Sequence, residues 1–545
     1  VLGAVASLAA AGTVAVEHGF AQPLLTPLGL GLGRLALVWL AAAAWGDVLW
    51  RMPPPRRWAR AQGVAAEAVV GPALLLELVG VPLVGEAVAI VAALAFAVRL
   101  NGLLARTLAN PSALFAGSFL ALIALTAGLL LLPAATPAER PIGPVDAVFT
   151  ATSAVCVTGL TVRDTASGFT PFGQAVVLGA IQLGGLGVMI FGSTLGLLFG
   201  ARPSYRETVT LSAALDEYPA HRIARFAWFI VLATLAIEAV GAVVILASWP
   251  ADGQPLGDRA WMAVFHSVSA FCNAGFDITG SSMVGVRGGV APYLGLMPLI
   301  VLGGLGFLVL EELLGRSGGR RVGRRRLSTH SRLVLATTAA LLVGGTALVL
   351  ISQVVERGWA GGGVLLDAAF MATSARTAGF TTVPMDELSA GSRFTLMVLM
   401  AVGGSPGSTA GGMKTVTFAI LLLAVVSTVR GRAEVEVFGR ALPDSLVKRA
   451  ATVAAGLVGV VTLATLVLDM TERIAFEPLL FEVVSAATTT GLSLGATAEL
   501  SPAGRLVIAG TMFLGRVGAL TLLAALLGAT AGGAYRLPRD TVSLG

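Results

Sequence analysis

Four glycines in this 545-residue chain, Gly159, Gly275, Gly379 and Gly491, each close a copy of one motif, and the motif limits the chemistry open to them. The copies read DAVFTATSAVCVTGL from Asp146, AVFHSVSAFCNAGF from Ala263, DAAFMATSARTAGF from Asp367 and FEVVSAATTTGL from Phe481. Phe149, Phe265 and Phe481 stand ten residues before their glycines, and Ser153, Ser269 and Ser485 six before. The third copy is one residue shorter, with Phe370 nine before Gly379. Successive glycines are 116, 104 and 112 residues apart, a repeat that suggests four loops around one axis. A ring of uncharged main-chain carbonyls can replace the hydration shell of a monovalent cation and still bind it weakly enough to release it. Successive carbonyls facing one way need backbone angles that glycine reaches without a Cβ clash. One such glycine alone would read as a helix C-cap; four in register read as a filter. The candidate filter residues are Val157, Thr158, Gly159 and Leu160; Asn273, Ala274, Gly275 and Phe276; Thr377, Ala378, Gly379 and Phe380; and Thr489, Thr490, Gly491 and Leu492.

Composition places these loops in a membrane. Hydrophobic residues are 56% of the chain and charged residues 12%, about half the charge of a soluble protein, and the mean hydropathy is +0.87. Runs near the roughly 20 apolar residues needed to cross a bilayer recur. The net charge of +6 comes from a few Arg-rich loops and reports orientation in a lipid bilayer, not nucleic-acid binding. The two cysteines, Cys156 and Cys272, each stand three residues before a glycine. They are too few for a disulfide framework or a four-cysteine metal site and read as small buried residues at equivalent positions. No basic segment leads into the first apolar run, so no cleaved leader is expected. With four histidines and no HExxH or GxSxG, the chain is not expected to be an enzyme. Residues 407–415 come close to a phosphate-binding loop, but Met413 separates Gly412 from Lys414 and apolar runs flank the segment.

From residue 110 a long apolar run, a motif and a second apolar run recur four times. The first runs are 112–132, 226–247, 333–355 and 450–468; the second are 172–199, 293–314, 394–429 and 506–527. Between them the motif runs, 145–155, 261–271, 365–375 and 476–487, hold eleven or twelve residues. At about 1.5 Å per residue such a helix covers about half of a ~30 Å hydrocarbon core, so it can enter and turn back but cannot cross. The linkers 202–225, 316–332 and 430–449 are rich in Arg and are expected on the cytoplasmic side. The expected fold is all-α and polytopic, with helix–re-entrant loop–helix units at 110–200, 201–315, 316–430 and 431–545. Residues 1–109 add four further spans, for twelve in all, and basic turns at 51–60 and 99–106 place the N-terminus inside. Irregular backbone at membrane depth is tolerated only where protein or a water-filled cavity surrounds it, so the four loops must meet inside the protein.

By the motifs TATSAVCVTGLT (from Thr150), HSVSAFCNAGFD (from His266), ATSARTAGFTT (from Ala372) and SAATTTGLS (from Ser485) the chain resembles the bacterial Trk/Ktr potassium transporters. GGSPGSTAGGMKT (from Gly403) and FLGRVGALT (from Phe513) extend the likeness to their TrkH and KtrB membrane subunits, in a superfamily that includes the plant HKT transporters. The resemblance runs from about residue 110 to the end. It implies four pore units with pseudo-fourfold symmetry and potassium uptake across the cytoplasmic (inner) membrane, with K+ held as the transported ion at the filter residues. It also implies a homodimer and a cytoplasmic regulatory ring of TrkA or KtrA type, the separate subunit through which ATP or ADP would act. In that superfamily a serine at the first filter position goes with sodium preference in some plant members; Gly159 stands there in this chain, which favours potassium. A sodium-coupled or sodium-selective symporter of the same superfamily stays open, as does a repeat-built secondary transporter for another solute.

Each second run also carries a glycine cluster: GGLG at 184–187, GGLG at 303–306, GGSPG at 403–407 and GRVG at 515–518. The first two read as close helix packing through small residues. The third continues into GGSPGSTAGG, whose proline and five glycines no helix would accept, so 394–429 is expected as two helical pieces broken in mid-membrane. In the fourth unit Arg516 is an intramembrane charge that needs a partner, and carbonyls of the broken segment can accept from its five donors. The candidate gate is therefore Gly403, Gly404, Ser405, Pro406, Gly407, Ser408, Thr409, Ala410, Gly411 and Gly412, held closed by Arg516. Lys414 corresponds to a lysine of the resembled family just after this loop. Arg376, three residues before Gly379, is expected to turn away from the axis toward Glu482 or Asp367. Asp146, His266, Asp367 and Glu482 read as satisfied helix-end groups.

Overall fold

In the computed structural model the described residues are 111–187, 223–250, 253–314, 327–358 and 363–518. The four spans expected in 1–109, and most of the first two Arg-rich linkers, lie outside them. The first unit is α1 (Pro111–Leu130), α2 (Pro144–Val155) and α3 (Pro171–Leu186). The second is α4 (Ile223–Ser248), α5 (Leu256–Phe271), a π-helical turn (Ala291–Leu296) running into α6 (Met297–Leu305), and α7 (Phe307–Leu313). The third is α8 (Thr329–Arg357), α9 (Gly363–Ser374), α10 (Ala390–Ala401) and α11 (Thr415–Val429). A hairpin of β1 (Val435–Val437) and β2 (Arg440–Leu442) precedes the fourth unit, which is α12 (Asp444–Thr471), α13 (Phe476–Thr488) and α14 (Pro502–Val517).

Helix length follows apolar length. Among the described residues the first helix of each unit is long and apolar enough to cross a membrane. The motif helices α2, α5, α9 and α13 have 12, 16, 12 and 13 residues, about 18–24 Å, and stop short of a crossing. Helix α5 starts five residues ahead of its apolar run because Leu256, Gly257, Asp258, Arg259 and Ala260 still form its first turn, with Asp258 at the positive end of the helix dipole. Helices α3, α10 and α14 begin by one device. Thr170, Ser389 and Ser501 accept through their side-chain oxygens the N–H of Gly173, Ser392 and Gly504, and proline fills the first turn in α3 and α14.

Two features depart from the expectation. The second run of unit two is not a single span: it bends by 102° between α6 and α7, at Gly306 with φ 90° and ψ 141°. Helices α3 and α14 end at the equivalent glycines of their clusters, Gly187 (φ 79°) and Gly518 (φ 86°). The unit-two cluster, read as a packing surface, thus also turns the chain, because its fourth residue takes a backbone conformation that side chains avoid. The other departure is the hairpin in an otherwise helical fold. Its turn residues Phe438 and Gly439 both have positive φ (50° and 74°), the pattern that matches strand twist. Val437 packs on Leu333 and Ala419, and the Arg332 guanidinium lies 4.1 Å over the Phe438 ring.

Neighbouring units are joined by matching polar contacts. Arg505 of α14 pairs with Asp146 of α2 at 2.6 Å, Arg393 of α10 with Glu477 of α13 at 2.8 Å, and Arg287, ahead of α6, with Asp367 of α9 at 2.7 Å. Trp261 of α5 donates through Nε1 to Gln174 Oε1 of α3 at 3.0 Å. Each contact runs from the second half of one unit to the motif helix of the next, and the set closes on itself. The motif phenylalanines Phe149, Phe265, Phe370 and Phe481 are all fully buried, so the repeat seen in the sequence is a repeat of core anchors. Phe370→Ala should lower stability by about 3–5 kcal/mol, read as a reduced denaturant midpoint of the detergent-solubilised protein. Glu477→Gln, at a half-exposed pair, should change it by less than about 1 kcal/mol.

Candidate functional site

After each motif helix the chain first turns on a residue other than the glycine. Val157, Asn273, Thr377 and Thr489, each two residues before its glycine, have φ of 58°, 58°, 73° and 52°. In units one, two and four the cap is a Schellman pair. Thr158, Ala274 and Thr490 donate N–H to the carbonyls of Ser153, Ser269 and Ser485, all at 2.8 Å, and the residues before them reach the Ala154, Ala270 and Ala486 carbonyls at 3.1 Å. The short third copy closes on Ser374 instead, with Ala378 N–H at 2.8 Å and Gly379 N–H at 3.3 Å. One residue fewer therefore removes one step from the cap and leaves the glycine in register. Valine and threonine are poor choices for positive φ, so strain of about 1–3 kcal/mol per residue is held in these turns. Cys156 and Cys272 are the C-caps of α2 and α5, fully buried free thiols, as their spacing suggested.

The glycines come together in a closed ring. A methyl group added at Gly159 would lie under 3.0 Å from the Ala274 carbonyl, at Gly275 from Ala378 O, at Gly379 from Thr490 O, and at Gly491 from Thr158 O. The same four methyl positions are 3.0, 3.0, 3.2 and 3.1 Å from the Cα of the next glycine, in chain order and back to Gly159. The motif serines secure the ring. Gly159 and Gly491 donate N–H to Ser153 Oγ (3.1 Å) and Ser485 Oγ (3.0 Å), whereas Ser269 and Ser374 donate Oγ–H to the carbonyls of Phe276 and Phe380. Leu160, Phe276, Phe380 and Leu492 bury their side chains completely, which leaves main chain for the centre. The cluster glycines Gly184, Gly303 and Gly515 permit the assembly, because a methyl group on any of them would strike the carbonyl of Val155, Phe271 or Ala487 near the end of a motif helix.

Between α10 and α11 the chain is non-helical from Val402 to Lys414, as the sequence predicts. The ends of this loop meet: Val402 and Met413 form a bridge, and Gly403 N–H donates to Met413 O at 3.0 Å. The loop is zipped to the break in unit two. Ser405 and Thr409 donate N–H to the Gly304 and Gly303 carbonyls at 2.9 and 3.3 Å, and Phe307, at the start of α7, donates to Gly407 O at 2.9 Å. The groups that the broken helix leaves unpaired are thereby satisfied, as burial in a membrane requires. Arg516 donates to Thr409 O and to Gly184 O, the latter at 2.6 Å, so one side chain of unit four holds units one and three. Lys414 Nζ donates to Ala410 O at 2.7 Å, closing the loop on itself.

A family model described as "Cation transport protein", TrkH, matches residues 87–528. The chain belongs to the TrkH family of cation transport proteins. Among curated relatives, the potassium/sodium uptake protein NtpJ of Enterococcus hirae is 35% identical over 80% of this chain and 97% of its own. The Ktr system potassium uptake protein B is 35% identical in Vibrio alginolyticus (78% of this chain, 93% of the relative) and 33% in Bacillus subtilis (76% and 92%). A solved structure, the potassium transporter TrkH from Vibrio parahaemolyticus, shares the fold with a TM-score of 0.59, covering 75% of this chain and 85% of that one at 21% identity. The protein is thus a membrane cation transporter and not an enzyme.

In this TrkH-family chain the expected partners of Arg376 are a correction. Arg376 is buried and donates to Gly403 O at 3.1 Å. Asp367 is taken by Arg287 and the Tyr293 hydroxyl (2.8 Å), and Glu482 by Ser493, Leu494 N–H and Thr497. Both carboxylates are engaged elsewhere, and the guanidinium binds a carbonyl of the irregular loop instead. Asp146 is held by Arg505 of the fourth unit. His266 contacts Met262 O at 2.8 Å within its own helix through Nδ1 and leaves its buried Nε2 unpartnered among the described residues. The three carboxylates are thus satisfied and the imidazole only in part. One residue was overlooked: Glu238, buried in α4, accepts from Gln182 Nε2 at 3.1 Å and faces Cys272 Sγ. Its signal was available, since it is the single charge in the apolar run 226–247. Gly491→Ala should lower Rb+ uptake at least tenfold in reconstituted vesicles, because its methyl group meets the Thr158 carbonyl. Gly510→Ala, where a methyl group meets nothing within 4 Å, should leave uptake as it was.

Proposed function

We propose that the chain takes up potassium through the centre of the glycine ring. The main-chain carbonyls of 157–160, 273–276, 377–380 and 489–492 would replace the ion's hydration shell. The observation that carries this reading is the closed ring Gly159–Gly275–Gly379–Gly491, in which uncharged main chain from four units meets at one point. The C-termini of α2, α5, α9 and α13 lead into it, and their partial negative charge favours a cation. Relatives named for potassium or potassium/sodium uptake support the choice of ion, as does glycine at 159.

The loop 403–412 acts as the gate, closed by Arg516 and steadied by Lys414 and Arg376; their hydrogen bonds to loop carbonyls support this assignment. The four divisions 110–200, 201–315, 316–430 and 431–545 are the pore units. The chain works as a homodimer in the cytoplasmic (inner) membrane with its N-terminus inside. A separate cytoplasmic nucleotide-binding ring of TrkA or KtrA type controls it, a reading that the "system" in two relatives' names favours. A sodium-coupled mechanism is the second reading, favoured by the potassium/sodium name of one relative.

Rb+ uptake into vesicles carrying the purified protein should proceed without a sodium gradient. Uptake that requires the gradient would replace the first reading with the second, and no Rb+ or Na+ uptake at all would overturn both. Arg516→Ala and deletion of part of 403–412 should each raise Rb+ flux several-fold; flux unchanged in both would remove the gate.

A further inference from the structure

Thr409, near the tip of the loop, is fully buried and uses every polar atom it has. Its N–H donates to Gly303 O, its carbonyl accepts from Arg516, and its Oγ1 lies 3.0 Å from Phe271 O and 3.1 Å from Gly303 O, one of which takes its proton. Oγ1 also accepts from Asn273 Nδ2 at 3.0 Å. Asn273 is the left-handed residue of the second ring loop, with φ 58°. Its buried Oδ1 has no partner, so the contact with Thr409 is what orients its amide. Two of the other three residues at this register also face the loop, but without hydrogen bonds to it: a methyl group on Gly411 would strike Thr489 Oγ1, and one on Gly403 would lie 3.0 Å from Thr377 Cγ2. The fourth, Val157, has no polar side-chain atom to offer. One strained position of the ring is therefore bonded directly to the loop.

We infer that Asn273 and Thr409 form a latch that couples loop position to the conformation of the second ring loop, with Asn273 as a positioning residue for both. The inference rests on the reading of 403–412 as the gate. A loop that leaves takes away the acceptor of the Asn273 amide, and the Asn273 turn, which leads within two residues to Gly275, loses the contact that sets its side chain. Loop release should therefore alter ion preference as well as flux, which a support role for the loop alone would not do.

Rb+ and Na+ uptake should be compared in vesicles carrying the full chain, Asn273→Gly, Thr409→Val, the double variant, Thr409→Ser and Arg516→Ala. Glycine at 273 removes the amide without adding strain at positive φ. Asn273→Gly, Thr409→Val and Arg516→Ala should each raise Rb+ uptake at least threefold and lower the Rb+/Na+ preference. The double variant should exceed neither single, and Thr409→Ser, which keeps the hydroxyl, should return both readouts to the parent values. If Asn273→Gly does not fold, the Thr409 pair decides alone. Parent-like uptake and preference in Asn273→Gly and Thr409→Val, alongside raised flux in Arg516→Ala, would overturn the latch and leave the gate standing. A double variant equal to the product of the singles would also overturn it. No effect in any variant, Arg516→Ala included, would remove the gate and the latch together.

Discussion

Each of four main-chain loops lays a carbonyl against the glycine of the unit before it, closely enough that no Cβ fits between them. That contact makes demands on everything behind it. The motif helices must end within a few residues of one another in space, so each needs a cap that reverses the chain at once. The left-handed residues Val157, Asn273, Thr377 and Thr489 supply that reversal at a conformational cost. The cost is offset by the burial of four phenylalanines and by serines that hold the backbone at or beside each glycine. The cluster glycines then let the second helices approach the motif-helix ends from behind, with backbone in place of side chains.

The same economy of main chain governs the loop between α10 and α11. A membrane interior gives no water to an unpaired N–H or C=O, so a broken helix needs another segment that is broken in a complementary way. Gly303 and Gly304 offer the carbonyls at the end of α6, Phe307 offers the first free N–H of α7, and the loop of the next unit meets all three. Neither irregular segment would be acceptable alone. The charges nearby follow the same rule: Arg376, Lys414 and Arg516 each donate to loop carbonyls, so uncharged dipoles hold the cationic groups.

Departures from fourfold likeness are concentrated in the third unit. It has the shorter cap, an arginine where two units have cysteine, and a long loop where unit two bends on a single glycine. The ring itself is unaffected, since losing one residue shifts the cap from an i−5 to an i−4 closure and keeps Gly379 in place. Repetition thus builds the centre, and the unit that differs carries the element proposed to open and close it.

Much of this was legible in order along the chain. The long first helices, the short motif helices and the broken segment at 403–412 all follow from apolar run length and from proline and glycine content, which act locally. The ring glycines were legible because a demand made four times leaves four matching marks. The bend at Gly306 was not, since GGLG serves equally for close packing and for a turn, and only the hydrogen bonds offered by another unit make the turn the lower-energy choice. Nor were the partners of Arg376, because a guanidinium binds carboxylates and carbonyls alike and proximity decides between them. The residue types that can line an ion path, and their spacing, were set by the sequence alone. Which backbone groups face one another across the units was decided by tertiary packing, because main-chain donors and acceptors are the same at every position and carry no mark in the sequence.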